Sequence, residues 1–197
     1  MGLTNSGWLE ANRNKAIVEG LAMMTFNPSI GRVLARGSGL KFKRIAWHGL
    51  RTLVRLRDQA GFDRFHHRLV LRTRRMIRHT ARGRRVSYGQ AQKAVNVFLK
   101  VYVDWAHLPD RKTAIRVSRF LHVPLDTIVM RQIRNEHRED HRETVGRIYS
   151  DEGERPSDLR LTIINRRMYR AWQHFFRKVR PRRPIDLDVI WSLAPRD

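Results

Sequence analysis

Residues 87–105, SYGQAQKAVNVFLKVYVDW, carry an apolar face wide enough for a central helix. Ser87 is followed three residues later by Gln90, which is the form of a capping box and predicts that a helix begins here. The apolar side chains that follow are Ala91, Ala94, Val95, Phe98, Leu99, Tyr102 and Trp105. Their spacing of mostly three and four residues places them on one helix face. We therefore predict that this helix forms the core of the fold.

Helical patterns continue on both sides of this stretch, so we expect an all-α protein. Further helices are predicted over residues 7–24, 42–57, 63–82, 110–121, 127–145 and 158–179. They predict a single helical domain over residues 1–197, built as one bundle of about six to seven helices. Residues 149–157 are predicted to form an exposed loop. Residues 180–197 are predicted to form a C-terminal tail that is irregular, a single strand or a final turn of helix.

The composition narrows the class of partner. Hydrophobic residues make up 41% of the chain, which argues against wholesale disorder. The absence of cysteine excludes a disulfide framework, a thiolate zinc site and a cysteine nucleophile. The chain has 41 Lys and Arg against 18 Asp and Glu, for a net charge of +23. We therefore expect an acidic partner, either nucleic acid or another anionic surface.

The positive charge is concentrated in two segments. Residues 41–85 carry a net charge of +13 and residues 160–183 carry +9, whereas the rest of the chain is close to neutral. Arginine supplies 34 of the 41 basic residues, and its planar guanidinium group binds phosphate through two hydrogen bonds at once. A GC-rich genome would also raise the arginine content, but it would not cluster the charge. The clustering indicates one or two functional faces.

Within the first segment, basic residues recur at steps of three or four over the predicted helix 63–82, which places them on one helix face. The last long helix carries a second set of arginines that lie mostly off its apolar stripe. The side chains predicted to contact phosphate groups are Arg64, Arg68, Arg72, Arg75, Arg78, Arg82, Arg166, Arg167, Arg170 and Arg177.

These faces favour a non-enzymatic protein that binds the sugar-phosphate backbone of nucleic acid, RNA slightly ahead of DNA. No motif for reading base edges is present, and a protein of this size and charge often works as a subunit of a larger nucleoprotein or antiviral defence complex. Two alternatives are an assembly protein that docks on an acidic protein and a basic face that lies on an anionic membrane. No membrane span or secretory signal is predicted, so we expect a cytoplasmic location.

One stretch, RQIRNEHREDH, suggests catalysis. It contains Arg131 with five residues before His137, and Arg134 with six residues before His141. This resembles the R-x(4–6)-H signature of HEPN-domain ribonucleases, which are small α-helical proteins that dimerise and cut RNA without a metal ion. The resemblance implies that His137 acts as the acid or base and that Arg131 stabilises the charged phosphorane. A metal-independent endoribonuclease is therefore the enzymatic alternative.

The same stretch has two other interpretations. His137 and His141 lie four residues apart, a spacing that places two imidazoles on one helix face for a metal ion, but no third ligand can be identified. An i, i+4 network of Arg, Glu and His that solvates the helix also explains the pattern. The chain has no phosphate-binding P-loop, no dinucleotide glycine fingerprint and no Gly-x-Ser-x-Gly nucleophile elbow. We therefore predict no metal site and no cofactor.

Overall fold

The computed structural model describes residues 6–25, 28–31, 34–80 and 83–193, and most of these lie in helices. The α-helices are α1 (Ser6–Thr25), α2 (Pro28–Gly31), α3 (Ser38–Leu50), α4 (Gln59–Met76), α5 (Tyr88–Leu99), α6 (Arg111–Ser118), α7 (Thr127–Glu136), α8 (Arg138–His141), α9 (Arg147–Asp151), α10 (Arg166–Val179) and α11 (Val189–Leu193). Short 3₁₀ and π-helical turns connect some of them. The described residues contain no strand, only the isolated bridges Leu34–His79 and Arg78–Arg85. The predicted all-α fold is confirmed.

Helix α5 lies at the centre of the fold, as predicted. The Gln90 backbone N–H donates to Ser87 Oγ at 3.0 Å, and the Ser87 backbone N–H donates to the Gln90 side-chain oxygen at 3.0 Å. These two bonds complete the predicted capping box. Helices α1, α4 and α10 pack against α5, whose buried side chains include Phe98 and Leu99. Burial of each such side chain contributes about 1.5–3 kcal/mol.

Gly89 lets the irregular segment before α10 pack directly on the first turn of α5. Its backbone N–H donates to the Ile164 carbonyl oxygen at 3.0 Å, and Ser87 Oγ donates to the Leu161 carbonyl oxygen at 2.6 Å. A Cβ atom at position 89 would lie 2.4 Å from the Leu161 oxygen and 2.8 Å from Ile164 Cβ. Only glycine fits this close approach, which fixes the position of α10 relative to α5.

The predicted apolar face of α5 was wrong at its C-terminal end. Helix α5 passes into a π-helical turn, Lys100–Trp105, whose wider hydrogen-bonding pattern changes the direction of the following side chains. Trp105 is therefore 64% exposed instead of buried, and Lys100 Nζ lies 4.4 Å from the centroid of its ring. Tyr102 is buried as expected.

Helix α4 begins earlier and ends earlier than the predicted helix over residues 63–82. The side chain of Asp58 accepts a hydrogen bond from the Gly61 backbone N–H at 2.6 Å and caps the N-terminus. The helix ends at Met76, because the backbone becomes extended at Ile77 and the Ile77 side chain is buried in the core.

The residues after α4 form a short reversal of the chain. The His79 backbone N–H donates to the Arg84 carbonyl oxygen at 2.9 Å, and Gly83 adopts a φ of +59°, which favours glycine. Arg78 forms a bridge to the returning chain and is no longer on the helix. The predicted phosphate contact of Arg78 therefore lies beyond α4 and stays a prediction, whereas Arg82 lies outside the described residues.

The predicted exposed loop over residues 149–157 was wrong at its start. Tyr149 belongs to α9, is fully buried, and its hydroxyl oxygen accepts a hydrogen bond from Trp172 Nε1 at 3.0 Å. Trp172 of α10 is fully buried too, so its hydrogen-bond partner Tyr149 lies in the core and not in an exposed loop. The irregular, largely exposed part of the chain runs over residues 152–165.

The described part of the tail is irregular over residues 180–183 and helical over residues 184–193. A 3₁₀ helix, Pro184–Asp188, leads into α11, so the predicted final turn of helix was right and the predicted strand was wrong. The tail packs on the domain because Ile185 is buried and Asp188 forms an ion pair with Lys100. Apolar burial and this ion pair together hold the segment in place.

Candidate nucleic-acid interface

The two arginine-rich segments meet at one cleft. Helices α4 and α10 both pack on α5, and their side chains line the cleft from its two sides, around a volume of about 480 Å³. The arginines that line it are Arg64 and Arg68 from α4, and Arg166, Arg170 and Arg177 from α10. The sequence indicated two separate basic segments, and the fold joins them into one concave site with a positive potential.

Two neighbouring depressions extend this cleft. One shares His67, Tyr88 and Arg166 with it and adds Arg74, Arg84 and Arg85. The other shares Arg166, Arg170 and His174 with it and adds Arg167. The cleft and these two depressions together are termed the arginine groove. The groove therefore presents arginine side chains beyond the cleft itself.

Most of the cleft arginines are not neutralised by carboxylates. Arg64, Arg68, Arg166 and Arg170 are exposed. No ion pair joins any of these four side chains to a carboxylate in the described part of the chain. Arg177 is different, since its guanidinium group lies 3.5 Å from Asp63 Oδ1. Unpaired guanidinium groups that repel one another are costly in the free protein, and a bound polyanion removes that cost.

The first turn of α10 adds to the positive potential. Asn165 caps this helix by accepting a hydrogen bond from the Met168 backbone N–H at 3.0 Å, and Arg166 and Arg167 are its first residues. The N-terminus of a helix carries a partial positive charge. Asn165 and Arg166 both line the groove, so this end of the helix dipole borders the site.

A buried polar network forms the floor of the cleft and joins four parts of the fold. The amide nitrogen of Asn96 donates to Tyr169 Oη at 3.0 Å. Tyr169 Oη lies 2.7 Å from His122 Nδ1, and His122 Nε2 lies 2.9 Å from Asp63 Oδ1. His66 Nε2 lies 2.6 Å from Asn96 Oδ1. The network holds α4, α5, α10 and the segment before α7 in one arrangement, so the cleft walls are pre-positioned for a ligand.

The protonation of this network follows from burial. Burial tends to raise the pKa of Asp63, but the hydrogen bond from His122, together with the charges of His122 and Arg177, lowers that pKa to about 2. Burial lowers the pKa of His122, although Asp63 opposes the shift. Burial and the neighbouring His122 lower the pKa of His66 well below its usual value. At neutral pH the carboxylate is therefore ionised, and both imidazoles are neutral.

Two other histidines are accessible from the cleft. His67 is half-buried on α4, and its Nδ1 lies 3.1 Å from Tyr88 Oη. Burial, followed by the positive charges of Arg166 and Arg170, lowers the pKa of His67. His174 is exposed on α10 and lines both the cleft and one depression.

Only some of the predicted phosphate contacts line the arginine groove with free guanidinium groups. Arg72 and Arg75 are exposed on α4 but do not line the arginine groove. Arg167 lines the groove, but it is held by Asp151 at 2.8 Å and by Glu152 at 3.1 Å. The residues best placed to contact phosphates are therefore Arg64, Arg68, Arg166 and Arg170, with Arg177 partly neutralised.

The residues that resemble the HEPN signature lie away from the groove. Arg131 is exposed on α7, and His137 ends that helix with its ring edge-on to Phe175, at a centroid distance of 6.4 Å. His141 is buried against Trp172 and Phe175, and burial lowers its pKa to about 4. No residue of this stretch lines the arginine groove. The catalytic role of Arg131 and His137 stays a prediction.

Within the ranges that the structure describes, no group of three or more His, Asp or Glu side chains is arranged to hold a metal ion. Across the same ranges, no helix combines the length and the apolar character needed to cross a membrane.

Sequence reasoning missed the polar residues of the cleft. Neither His66 nor His67 was among the predicted contacts, yet His67 lines the cleft, and His66 is 1% exposed and belongs to the buried network. Asp63 is the only carboxylate among the described residues that line the cleft. The one signal available in the sequence was Asp63 itself, a single acidic residue beside a row of arginines. A carboxylate in such a position needs a specific partner when it is partly buried.

No protein family, curated protein or solved structure matches the chain. A functional assignment therefore rests on the chemistry of the arginine groove.

Proposed function

We propose that the protein binds the sugar-phosphate backbone of single-stranded nucleic acid, RNA in preference to DNA, in the arginine groove. The observation that carries this proposal is the convergence of four exposed arginines from two distant segments on one cleft, none of them paired with a carboxylate of the described residues. Guanidinium groups bind phosphate oxygens through short, charge-assisted hydrogen bonds. Further arginines in the adjoining depressions suit a chain of phosphates better than a single anion.

The size of the cleft favours a single strand. A volume of about 480 Å³ is that of a small-molecule site, so the cleft admits a nucleotide or a short stretch of backbone. A duplex would contact only the rim, because its two strands are held together at the width of the double helix. The predominance of guanidinium groups over base-reading side chains predicts weak dependence on sequence.

The preference for RNA rests on the histidines. His67 and His174 line the cleft among the arginines, and an imidazole can either donate a hydrogen bond to a hydroxyl group or accept one from it. The 2′-hydroxyl group distinguishes RNA from DNA and offers both a donor and an acceptor. A ribose that lies beside His67 or His174 therefore has a polar partner available in the cleft.

Two variants with the same change in net charge test the location of the site. The cleft variant combines Arg64→Gln, Arg68→Gln, Arg166→Gln and Arg170→Gln. The control variant combines Arg131→Gln, Arg138→Gln, Arg142→Gln and Arg147→Gln, all exposed on the helices from α7 to α9. Fluorescence anisotropy with a single-stranded RNA of mixed sequence gives the affinity of each protein, and thermal unfolding verifies that each is folded.

The expected loss follows from the number of contacts. If each contact contributes about 0.5–1 kcal/mol, as exposed charge pairs do, the four together account for about 2–4 kcal/mol, or about 30- to 1000-fold in affinity. The cleft variant should show this loss, and the control variant should bind nearly as well as the wild type. Equal losses in both variants would mean that only net charge matters and would refute the proposed site. Absence of RNA binding by the wild type would favour an acidic protein partner.

A further inference from the structure

Two imidazole groups face the same arginine-lined cleft from different helices. His67 lies on α4 and His174 lies on α10. Arg170 lies one helical turn before His174, and Arg166 and Arg170 are close enough to His67 to influence its protonation. The cleft therefore combines two accessible groups that can exchange protons with two cations that can stabilise a negatively charged intermediate.

We propose that the cleft cleaves single-stranded RNA by transfer of the phosphorus atom to the neighbouring 2′-oxygen, with His67 as general base and His174 as general acid. This inference rests on the proposed function, since it requires the RNA backbone to lie in the arginine groove. It places the chemistry at residues distinct from Arg131 and His137. The substrate class is RNA with a 2′-hydroxyl group next to the bond that breaks.

The reaction is balanced without a metal ion or a co-reactant. His67 removes the proton from the 2′-hydroxyl group as the 2′-oxygen forms a bond to phosphorus. The bond between phosphorus and the 5′-oxygen of the next nucleotide breaks, and His174 donates a proton to that oxygen as the general acid. The products are an RNA end with a 2′,3′-cyclic phosphate and an RNA end with a 5′-hydroxyl group. Exchange with water returns both imidazoles to their starting protonation states.

The surroundings of His67 suit a general base. Burial and the adjacent arginines lower its pKa, so the imidazole is neutral and holds a free lone pair at neutral pH. Burial raises the pKa of Tyr88 to about 12, so that its hydroxyl group stays protonated. When the His67 proton is on Nδ1, it is donated to Tyr88 Oη at 3.1 Å. His67 Nε2 is then the atom that accepts the proton from the substrate.

The arginines supply electrostatic stabilisation. In the phosphorane, negative charge develops on the oxygen atoms that do not take part in bond making or breaking. Arg166 and Arg170 are exposed in the cleft and lack a carboxylate partner among the described residues. Removal of one preorganised donor of this kind typically lowers the rate by about 100- to 1000-fold.

The test compares three single variants of the full chain. A short fluorescent single-stranded RNA is incubated in EDTA with the wild type, His67→Gln, His174→Gln and His137→Gln. An all-DNA strand of the same sequence serves as the substrate control, and mass spectrometry identifies the ends of the products. Anisotropy measures the affinity of each protein for RNA whose 2′-hydroxyl groups carry methyl groups, which cannot be cleaved by this route.

The wild type should cleave RNA and leave DNA intact, with 2′,3′-cyclic phosphate ends. His67→Gln and His174→Gln should each lower the rate by about 100-fold or more, with affinity for the methylated RNA within about threefold of the wild type. His137→Gln should cleave at the wild-type rate. His174 is exposed, so its variant keeps the test decisive even if a substitution at His67 disturbs folding.

Three results would overturn the inference. RNA that is bound but not cleaved removes the catalytic step and leaves the proposed binding function intact. Cleavage that survives both cleft substitutions, or that His137→Gln abolishes, places the chemistry elsewhere. A wild type that binds neither RNA nor its methylated form refutes the binding function and the catalytic step together.

Discussion

Replacing His141 with leucine is expected to stabilise the protein, and to stabilise it more as the pH falls. The His141 ring is 4% exposed and packs against Trp172 and Phe175. Its Nε2 atom is buried and has no hydrogen-bond partner among the residues that the structure describes. A buried polar atom in this state costs about 1–3 kcal/mol. Leucine has a similar volume and no polar atom, so we expect a gain of about 1 kcal/mol at neutral pH after some loss of ring packing.

The pH dependence follows from the folded-state pKa. Burial, with a contribution from Arg134, lowers the pKa of His141 from 6.5 to about 4. As the pH falls below 6.5, the unfolded state takes up a proton that the folded state does not accept until about pH 4. The contribution of the neutral His141 to the free energy of unfolding is therefore fully present above pH 6.5 and is lost as the pH falls from 6.5 to 4. Between pH 7 and pH 5 this loss is about 2 kcal/mol.

Urea unfolding at these two pH values, followed by tryptophan fluorescence, measures the effect. His66 and His122 also have lowered pKa values, but their contributions cancel when the wild type and His141→Leu are compared at the same pH. The difference in free energy of unfolding should grow by about 2 kcal/mol from pH 7 to pH 5. A difference that stays constant with pH would refute the assignment of His141 as a buried neutral imidazole.

Three further substitutions test the packing and the charges of the cleft. Gly89→Ala should destabilise the protein by about 3 kcal/mol or more, because the added Cβ meets the Leu161 carbonyl oxygen at 2.4 Å. An unchanged melting temperature would contradict the close packing of α5 on the segment that contains Leu161. Asp63→Asn should lower the stability by about 1 kcal/mol, because His122 then donates to a neutral acceptor. The same change should raise the affinity for RNA by about two- to fivefold by removing the one carboxylate of the described cleft; a fall in affinity would contradict the electrostatic account. Arg167→Gln should change RNA affinity by less than about twofold, because its guanidinium group is already paired with two carboxylates. Titration by anisotropy measures the RNA affinity of both Asp63→Asn and Arg167→Gln. A loss for Arg167→Gln as large as that of Arg170→Gln would show that these ion pairs open on binding.

The fold could be predicted where local chemistry decides it. Ser87 and Gln90 form their capping box within one turn of helix, and the apolar spacing of α5 identifies its buried face without reference to the rest of the chain. The end of α4 could not be predicted in this way. The chain leaves the helix after Met76 because Ile77 is buried in the core, and beyond it the His79 backbone N–H bonds across the chain reversal to the Arg84 carbonyl oxygen.

The site could be predicted only in part. Charge counting identified both basic segments, because the net charge of a segment does not depend on how it folds. Their convergence depends on the packing of α4 and α10 on α5, which places Arg68 and Arg170 about one cleft. The buried network joins Asp63, His122 and Tyr169, which are far apart in sequence. No local pattern shows that such residues meet.

The salt dependence of RNA binding tests the central claim, which is that the nucleic-acid backbone lies in the arginine groove. Four phosphate contacts on a single strand predict a slope of about −3 for the logarithm of affinity against the logarithm of salt concentration, or about a 50-fold loss between 50 and 200 mM. The cleft variant should lose most of this slope, whereas the control variant, with the same net charge, should retain it. Equal slopes in the two variants would contradict the claim, because the released counterions would then not come from contacts in the groove.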